Sequence, residues 1–226
     1  MAAMSNAGKY LALPVAAVVG LSTACNAAPA EDFSKADIAR VAEVKSGFAP
    51  SYTVNTVGPA AIDPRFLTAQ KLPPGLTFDP QDCAKSATEN TVPEGVKGNM
   101  AATTAEGDGV RYIVIAVETS EAVPVNTPSD QCRKVTFTGA GMRGLVEVVE
   151  APAVDGVTTV GTHRVLQTVT EEGPRTGELY NYVATFGNFI VIVTANPLVV
   201  ADKPVARIDT QRARDLVTQA VGLVMG

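Results

Sequence analysis

One histidine, three cysteines and scattered carboxylates are what this 226-residue chain offers to chemistry. His163, the only imidazole, lies in Gly161-Thr-His-Arg-Val-Leu-Gln-Thr168. A hydrolytic triad would have to use it, yet no Gly-x-Ser-x-Gly elbow accompanies the chain's serines. Its alternation with Val165 and Val169 reads as a strand residue, partly buried and hydrogen-bonded. A zinc site needs more nitrogen and sulfur ligands than one His and no Cys-x-x-Cys pair can supply, so no metal or cofactor is expected. Glu106-Gly-Asp-Gly109 lacks the repeated oxygen ligands and closing Glu of a calcium loop and reads as a tight turn. Gly139-Ala-Gly-Met-Arg-Gly144 lacks the Gly-Lys-Ser/Thr ending of a phosphate loop and reads as a hairpin turn. Glu147 and Glu150 are an odd number of residues apart on a strand, so they face opposite ways and cannot pair as acid and base.

The cysteines carry more information. Lys9 precedes an apolar run from Tyr10 to Leu21, followed by Ser22, Thr23 and Ala24. That run is too short to span a bilayer and has the form of a secretory signal. Leu21-Ser22-Thr23-Ala24-Cys25 resembles a bacterial lipobox, in which the Cys thiol is diacylated and the chain is cut just before it. Ser22 stands where the usual box has an aliphatic residue. Residues 1–24 are therefore expected to be a signal peptide and 25–33 a lipidated tether starting Cys25-Asn-Ala-Ala-Pro. Two acyl chains would anchor the protein stably to the outer face of the cell membrane; without acylation of Cys25 it would be secreted. Cys83 and Cys132 then remain as a pair in an oxidising compartment, where a disulfide is the default.

With 46% hydrophobic and 18% charged residues, the chain is neither a disordered tail nor a multi-pass membrane protein. Its net charge of -5 argues against electrostatic binding of nucleic acid. What remains after residue 33 has the length of one domain, 34–226. Ser34-Lys-Ala-Asp37 fits a capping box and predicts a short helix from about 35 to 46, with Ile38, Val41 and Ala42 on one face and Gly47 as the stop. Tyr52–Val57 reads as a strand. Residues 58–109 are punctuated by Pro73-Pro74-Gly75 and Asp79-Pro80, leaving room for short helices at Ile62–Ala69 and Gln81–Thr88. Tyr112–Val117 is apolar at every position, as in a strand covered on both faces. Arg133–Thr138 alternates, with Val135 and Phe137 inward; Leu145–Val149 and Gly161–Thr170 read as further strands. Tyr180–Phe186, Gly187-Asn188 and Phe189–Thr194 form a hairpin with Phe186 opposite Phe189, Ala184 opposite Val191 and Tyr182 opposite Val193. Asp209 caps a closing helix with Ala213, Leu216, Val217, Ala220 and Val224 on one face. The expected fold is α+β, an antiparallel sheet of about five to seven strands flanked by N- and C-terminal helices. The aromatic face of Tyr180, Tyr182, Phe186 and Phe189 is either core beneath the C-terminal helix or the lining of a ligand groove.

Gly47-Phe-Ala-Pro-Ser-Tyr52, the Pro-rich approach to Cys83 in Asp79-Pro-Gln-Asp-Cys83, and Gly177-Glu-Leu-Tyr-Asn-Tyr-Val183 resemble a family of mycobacterial lipoproteins and secreted proteins of unknown function. The resemblance extends more loosely to LpqN-type lipoproteins and the extracellular sensor domain of a mycobacterial receptor kinase. It implies a PsbP-like architecture and supplies no catalytic residues. The expected function is a lipid-anchored cell-envelope module without catalytic activity that binds an envelope protein or ligand. The alternatives are a carrier of an apolar envelope lipid and a hydrolase using His163.

Overall fold

A computed structural model describes residues 33–63, 72–88, 92, 95–139, 141–171, 173–200 and 204–226. Nine strands make one antiparallel sheet: β1 (Thr53–Ala61), β2 (Thr77–Asp79), β3 (Gly98–Gly107), β4 (Val110–Thr119), β5 (Lys134–Gly139), β6 (Met142–Val149), β7 (Thr158–Thr170), β8 (Gly173–Phe186) and β9 (Phe189–Pro197). Their order across the sheet is β1-β3-β4-β9-β8-β7-β6-β5-β2. A 3-10 helix (Ile38–Gly47), the short helix α1 (Ala84–Thr88) and the C-terminal helix α2 (Thr210–Met225) complete an α+β fold.

The sheet thus exceeds the expected five to seven strands. β3, Gly-Asn-Met-Ala-Ala-Thr-Thr-Ala-Glu-Gly, has little β-branched or aromatic character to announce it. Its small residues suit its place, because the 3-10 helix lies against it and Thr103 donates its hydroxyl to the Val41 carbonyl at 3.1 Å. β2 has three residues and is held by pairing Phe78 with Phe137 on β5. The helix expected at Ile62–Ala69 lies outside the described residues from Pro64 onward. The one at Gln81–Thr88 is present as a 3-10 turn running into α1, with Cys83 on the turn.

The N-terminal helix is also corrected. Its cap is Asp37, whose carboxylate accepts from Ala39 N–H at 2.8 Å, and not Ser34. Its buried residues are Ile38, Val41 and Val44, not Ala42. A strict three-residue repeat lines up on one face of a helix with three residues per turn, so these side chains reach the core from a 3-10 helix. α2 matches expectation: Asp209 accepts from Arg212 N–H at 3.0 Å, and Ala213, Leu216, Val217, Ala220, Val221 and Val224 are buried. No helix among the described residues is long and apolar enough to cross a membrane.

The 3-10 helix and α2 cover one face of β3, β4, β9 and the end of β8, where Val114, Val191, Val193, Ala184, Phe186 and Phe189 meet Val41, Leu216 and Val217. The opposite face of the same strands, with Ile115, Val117, Ile190 and Ile192, is covered by Val92 and Val123 from loops. A third cluster, on that opposite face of β5 and β6, packs Val135, Phe137 and Val146 around Cys83 and Cys132. These two cysteines form a disulfide with a sequence separation of 49.

The two helices are locked at one end by Arg212. Its guanidinium carbon lies 4.6 Å from the Phe48 ring centre, 5.3 Å from Tyr52 and 5.7 Å from Tyr112, and Nη2 donates to the Gly47 carbonyl at 3.0 Å. Burial first, then the neighbouring Tyr52 and the Asp209 carboxylate, pushes the Tyr112 phenol up to about 12. Tyr52, Tyr180 and Tyr182 are raised as well, in each case mainly by burial.

Two predictions follow from this packing. Replacing both Cys83 and Cys132 by Ala releases a loop whose closure contributes at most about 4 kcal/mol in the chain-entropy view, read as a lower urea midpoint. The raised phenols make the neutral form the native one, while an unfolded tyrosine ionises near pH 10. Stability is therefore complete below about pH 10 and falls as the pH rises towards 12; Tyr112→Phe flattens that fall in urea titrations from pH 9 to 11.5.

Candidate functional site

The helices cover only part of their side of the sheet. Beyond β8, strands β7, β6, β5 and β2 extend past them, and their residues on that face form cross-strand rows fixed by the register. One row runs Lys134, Glu147, His163, Tyr180 from β5 to β8. Residues directly opposite in an antiparallel pair project from the same face, so this row is a contiguous strip of charged and aromatic groups.

His163 sits at its centre. Nδ1 is 2.9 Å from Glu147 Oε1 directly across on β6, and Nε2 is 2.9 Å from Glu178 Oε1, diagonally placed on β8. The ring stacks on Tyr180 at 4.2 Å between centroids with planes 12° apart. The imidazole is 13% exposed, against 33% for Glu147 and 38% for Glu178. Lys134 Nζ reaches Glu147 at 3.9 Å. Burial and then the Glu178 carboxylate raise the Tyr180 phenol, while Arg207 acts in the opposite sense.

This geometry sets what the histidine can do. Both ring nitrogens are engaged by carboxylates from neighbouring strands. Neither nitrogen points to a serine hydroxyl in the arrangement that nucleophilic catalysis uses. Glu147 and Glu178 approach opposite ends of the imidazole and do not converge on a point; among the described residues no group of three or more His, Cys, Asp or Glu is arranged around a metal. What the cluster does is tie β6, β7 and β8 together through side chains. Glu150, just past β6, takes no part in it.

The other sequence-derived candidates fall in different places. Tyr182, Phe186 and Phe189 are buried, at 1%, 3% and 5% exposure, in the core shared with α2 and the 3-10 helix. Of the two readings of this face, core or groove, their burial in one cluster with residues of both helices favours core for these three. Tyr182 packs closely over Gly161: a Cβ there would lie 3.0 Å from that ring, which would have to give by a few tenths of an ångström. Only Tyr180 is partly open, where it stacks on His163. The hairpin register is as expected, Phe186 opposite Phe189, Ala184 opposite Val191 and Tyr182 opposite Val193, with Gly187 at φ 52° in the turn. Cys25 lies outside the described residues.

Glu178 and Tyr180 as partners of His163 escaped sequence reading, because cross-strand neighbours, direct for Tyr180 and diagonal for Glu178, appear only once the β7–β8 register is known. The signal present was alternation: Glu178, Tyr180 and Tyr182 share a face. Arg164 was also missed. It projects to the opposite face, where burial lowers its pKa, close in register to Asn181 and Thr194, which are joined by a 3.1 Å hydrogen bond.

The model of a domain of unknown function, DUF5642, matches residues 37–225 of the chain. The protein belongs to the DUF5642 family. Among solved structures, an uncharacterised protein of Mycobacterium smegmatis, the Rv0999 ortholog, is 56% identical with a TM-score of 0.82, covering 86% of this chain and 100% of its own. The extracellular domain of PknH from Mycobacterium tuberculosis aligns at 12% identity over 85% of this chain and 97% of its own, with a TM-score of 0.36, too low to carry a fold or function across. No curated protein matches significantly. Membership of DUF5642 agrees with the resemblance to mycobacterial proteins of unknown function and brings no assigned site.

In this DUF5642 domain the histidine cluster makes a direct prediction. His163→Ala removes the stack and the imidazole that both Glu147 and Glu178 face, leaving only Lys134 beside Glu147; with both carboxylates partly open to water, stability falls by about 0.5–1.5 kcal/mol. His163→Phe restores the stack alone and recovers part of that loss, measured by urea unfolding at pH 6.

Proposed function

We propose that the protein is a lipid-anchored module of the cell envelope that binds a protein partner or ligand and catalyses no reaction. The observation that carries the non-catalytic part is the double engagement of His163: the only imidazole in the chain has both nitrogens against carboxylates at 2.9 Å. The carrier reading draws less support, since Tyr182, Phe186 and Phe189 fill the space between sheet and helices that a lipid would occupy. The disulfide fits an oxidising compartment outside the cytoplasm. The signal-like first 24 residues and the lipobox-like Leu21–Cys25 support an anchor at Cys25. The layout of one sheet with flanking helices also fits the PsbP-like architecture that the family resemblance implies.

The binding surface we favour is the half of the sheet left uncovered by the helices, with Lys134, Glu147, His163, Glu178 and Tyr180 at its centre. Its side chains are polar, of mixed charge and held in place by the sheet, which favours a specific polar contact over adhesion to a bare apolar surface. Fractionation of cells expressing the full chain tests the anchor. Cys25→Ala is expected to move the protein out of the membrane fraction while its melting transition stays unchanged; equal retention in the membrane refutes the anchor.

A further inference from the structure

The fold determines which end of the domain receives the chain from Cys25. Phe33, the first described residue, packs on Phe186 with ring centroids 5.3 Å apart. It also occupies the space over Gly187, where a Cβ would come within 2.8 Å of its ring. The chain therefore enters at the β8–β9 hairpin. The same end carries the end of α2, where Val224 accepts from Asp37 N–H, and the start of β3, where Ser120 N–H donates to the Lys97 carbonyl. The opposite end carries the β3–β4 turn at Asp108-Gly109, to which Leu198 donates just past β9. There the chain exposes Val199 at 76%, Val200 at 47% and Val205 at 59%.

Two lengths then decide orientation. Cys25 precedes Phe33 by eight residues, which reach at most about 29 Å. The nine residues of β9 by themselves separate the two ends by about 27 Å. An inverted domain would use almost the whole covalent reach of those eight residues, so inversion is opposed by reach.

We propose that, when held through Cys25, the domain stands with its β8–β9 hairpin end towards the bilayer. The β3–β4 turn and the exposed Val199, Val200 and Val205 are then directed away from the membrane, into the envelope. This rests on the anchor reading, and the experiment separates the two. The chain from Cys25 onward is isotopically labelled and coupled through the Cys25 thiol to maleimide lipid in nanodiscs containing gadolinium-chelating headgroups. This portion contains the compact unit from residue 32 to 226. The Mycobacterium smegmatis relative, which covers 86% of this chain, has been crystallised. Amide signals of Gly187 and Asn188 are expected to lose intensity while those of Asp108 and Gly109 are retained, relative to uncoupled protein. Equal loss at both ends, greater loss at Asp108-Gly109, or no loss at either end overturns the orientation. Because the coupling is chemical, the result stands whether or not the cell acylates Cys25, which the Cys25→Ala fractionation reports separately.

Discussion

Two-sided burial of β4 and β9 is the constraint from which the rest of the structure follows. β9 is buried along its first seven residues, and β4 is apolar from Tyr112 to Val117. Such strands are stable only when both faces are removed from water, each large aliphatic or aromatic side chain contributing roughly 1.5–3 kcal/mol on burial. One face is covered by the 3-10 helix and α2, whose apolar stripes fit it. The other is covered by loop residues such as Val92 and Val123. Tyr182, Phe186 and Phe189 of the β8–β9 hairpin lie in the same buried cluster as the apolar stripes of the helices and are therefore core.

Away from these two strands the sheet changes character. β7 is largely half-buried, and β5 alternates between buried and exposed residues. With less apolar burial to hold it, this half is held by long pairings and by side chains that bridge strands. His163 between Glu147 and Glu178 is the clearest case, and Arg143 Nε donating to Gln167 Oε1 at 2.7 Å between β6 and β7 is another. At the far edge, where β2 has three residues, the Cys83–Cys132 disulfide fastens the covering turns to the small cluster around Phe137. Burial, polar bridges and a covalent link thus succeed one another across a single sheet.

Much of the fold was legible because periodicity reports burial directly. The Tyr180–Thr194 hairpin, with its register, and α2, with its capping aspartate, both follow from spacing alone. Elements built from small residues were not legible. β3 is defined by Ala and Thr chosen to fit beneath a helix, and β2 by one phenylalanine pair, so neither leaves a periodic trace. The 3-10 helix lies about where the sequence predicts a helix, but its buried face is Ile38, Val41 and Val44, not Ile38, Val41 and Ala42, and Asp37 caps it, not Ser34.

By itself, the sequence determined the local elements and the pairing of Phe186 with Phe189, because backbone preference and residue spacing act over short distances, while cysteine count alone singled out Cys83 and Cys132 as a pair. Only the tertiary structure decided that Tyr182 is core, that Tyr180 is a stacking partner, and that two glutamates from different strands enclose one imidazole. Those outcomes depend on which strands become neighbours and where the helices stop covering them, and both are set by the summed burial of the whole sheet.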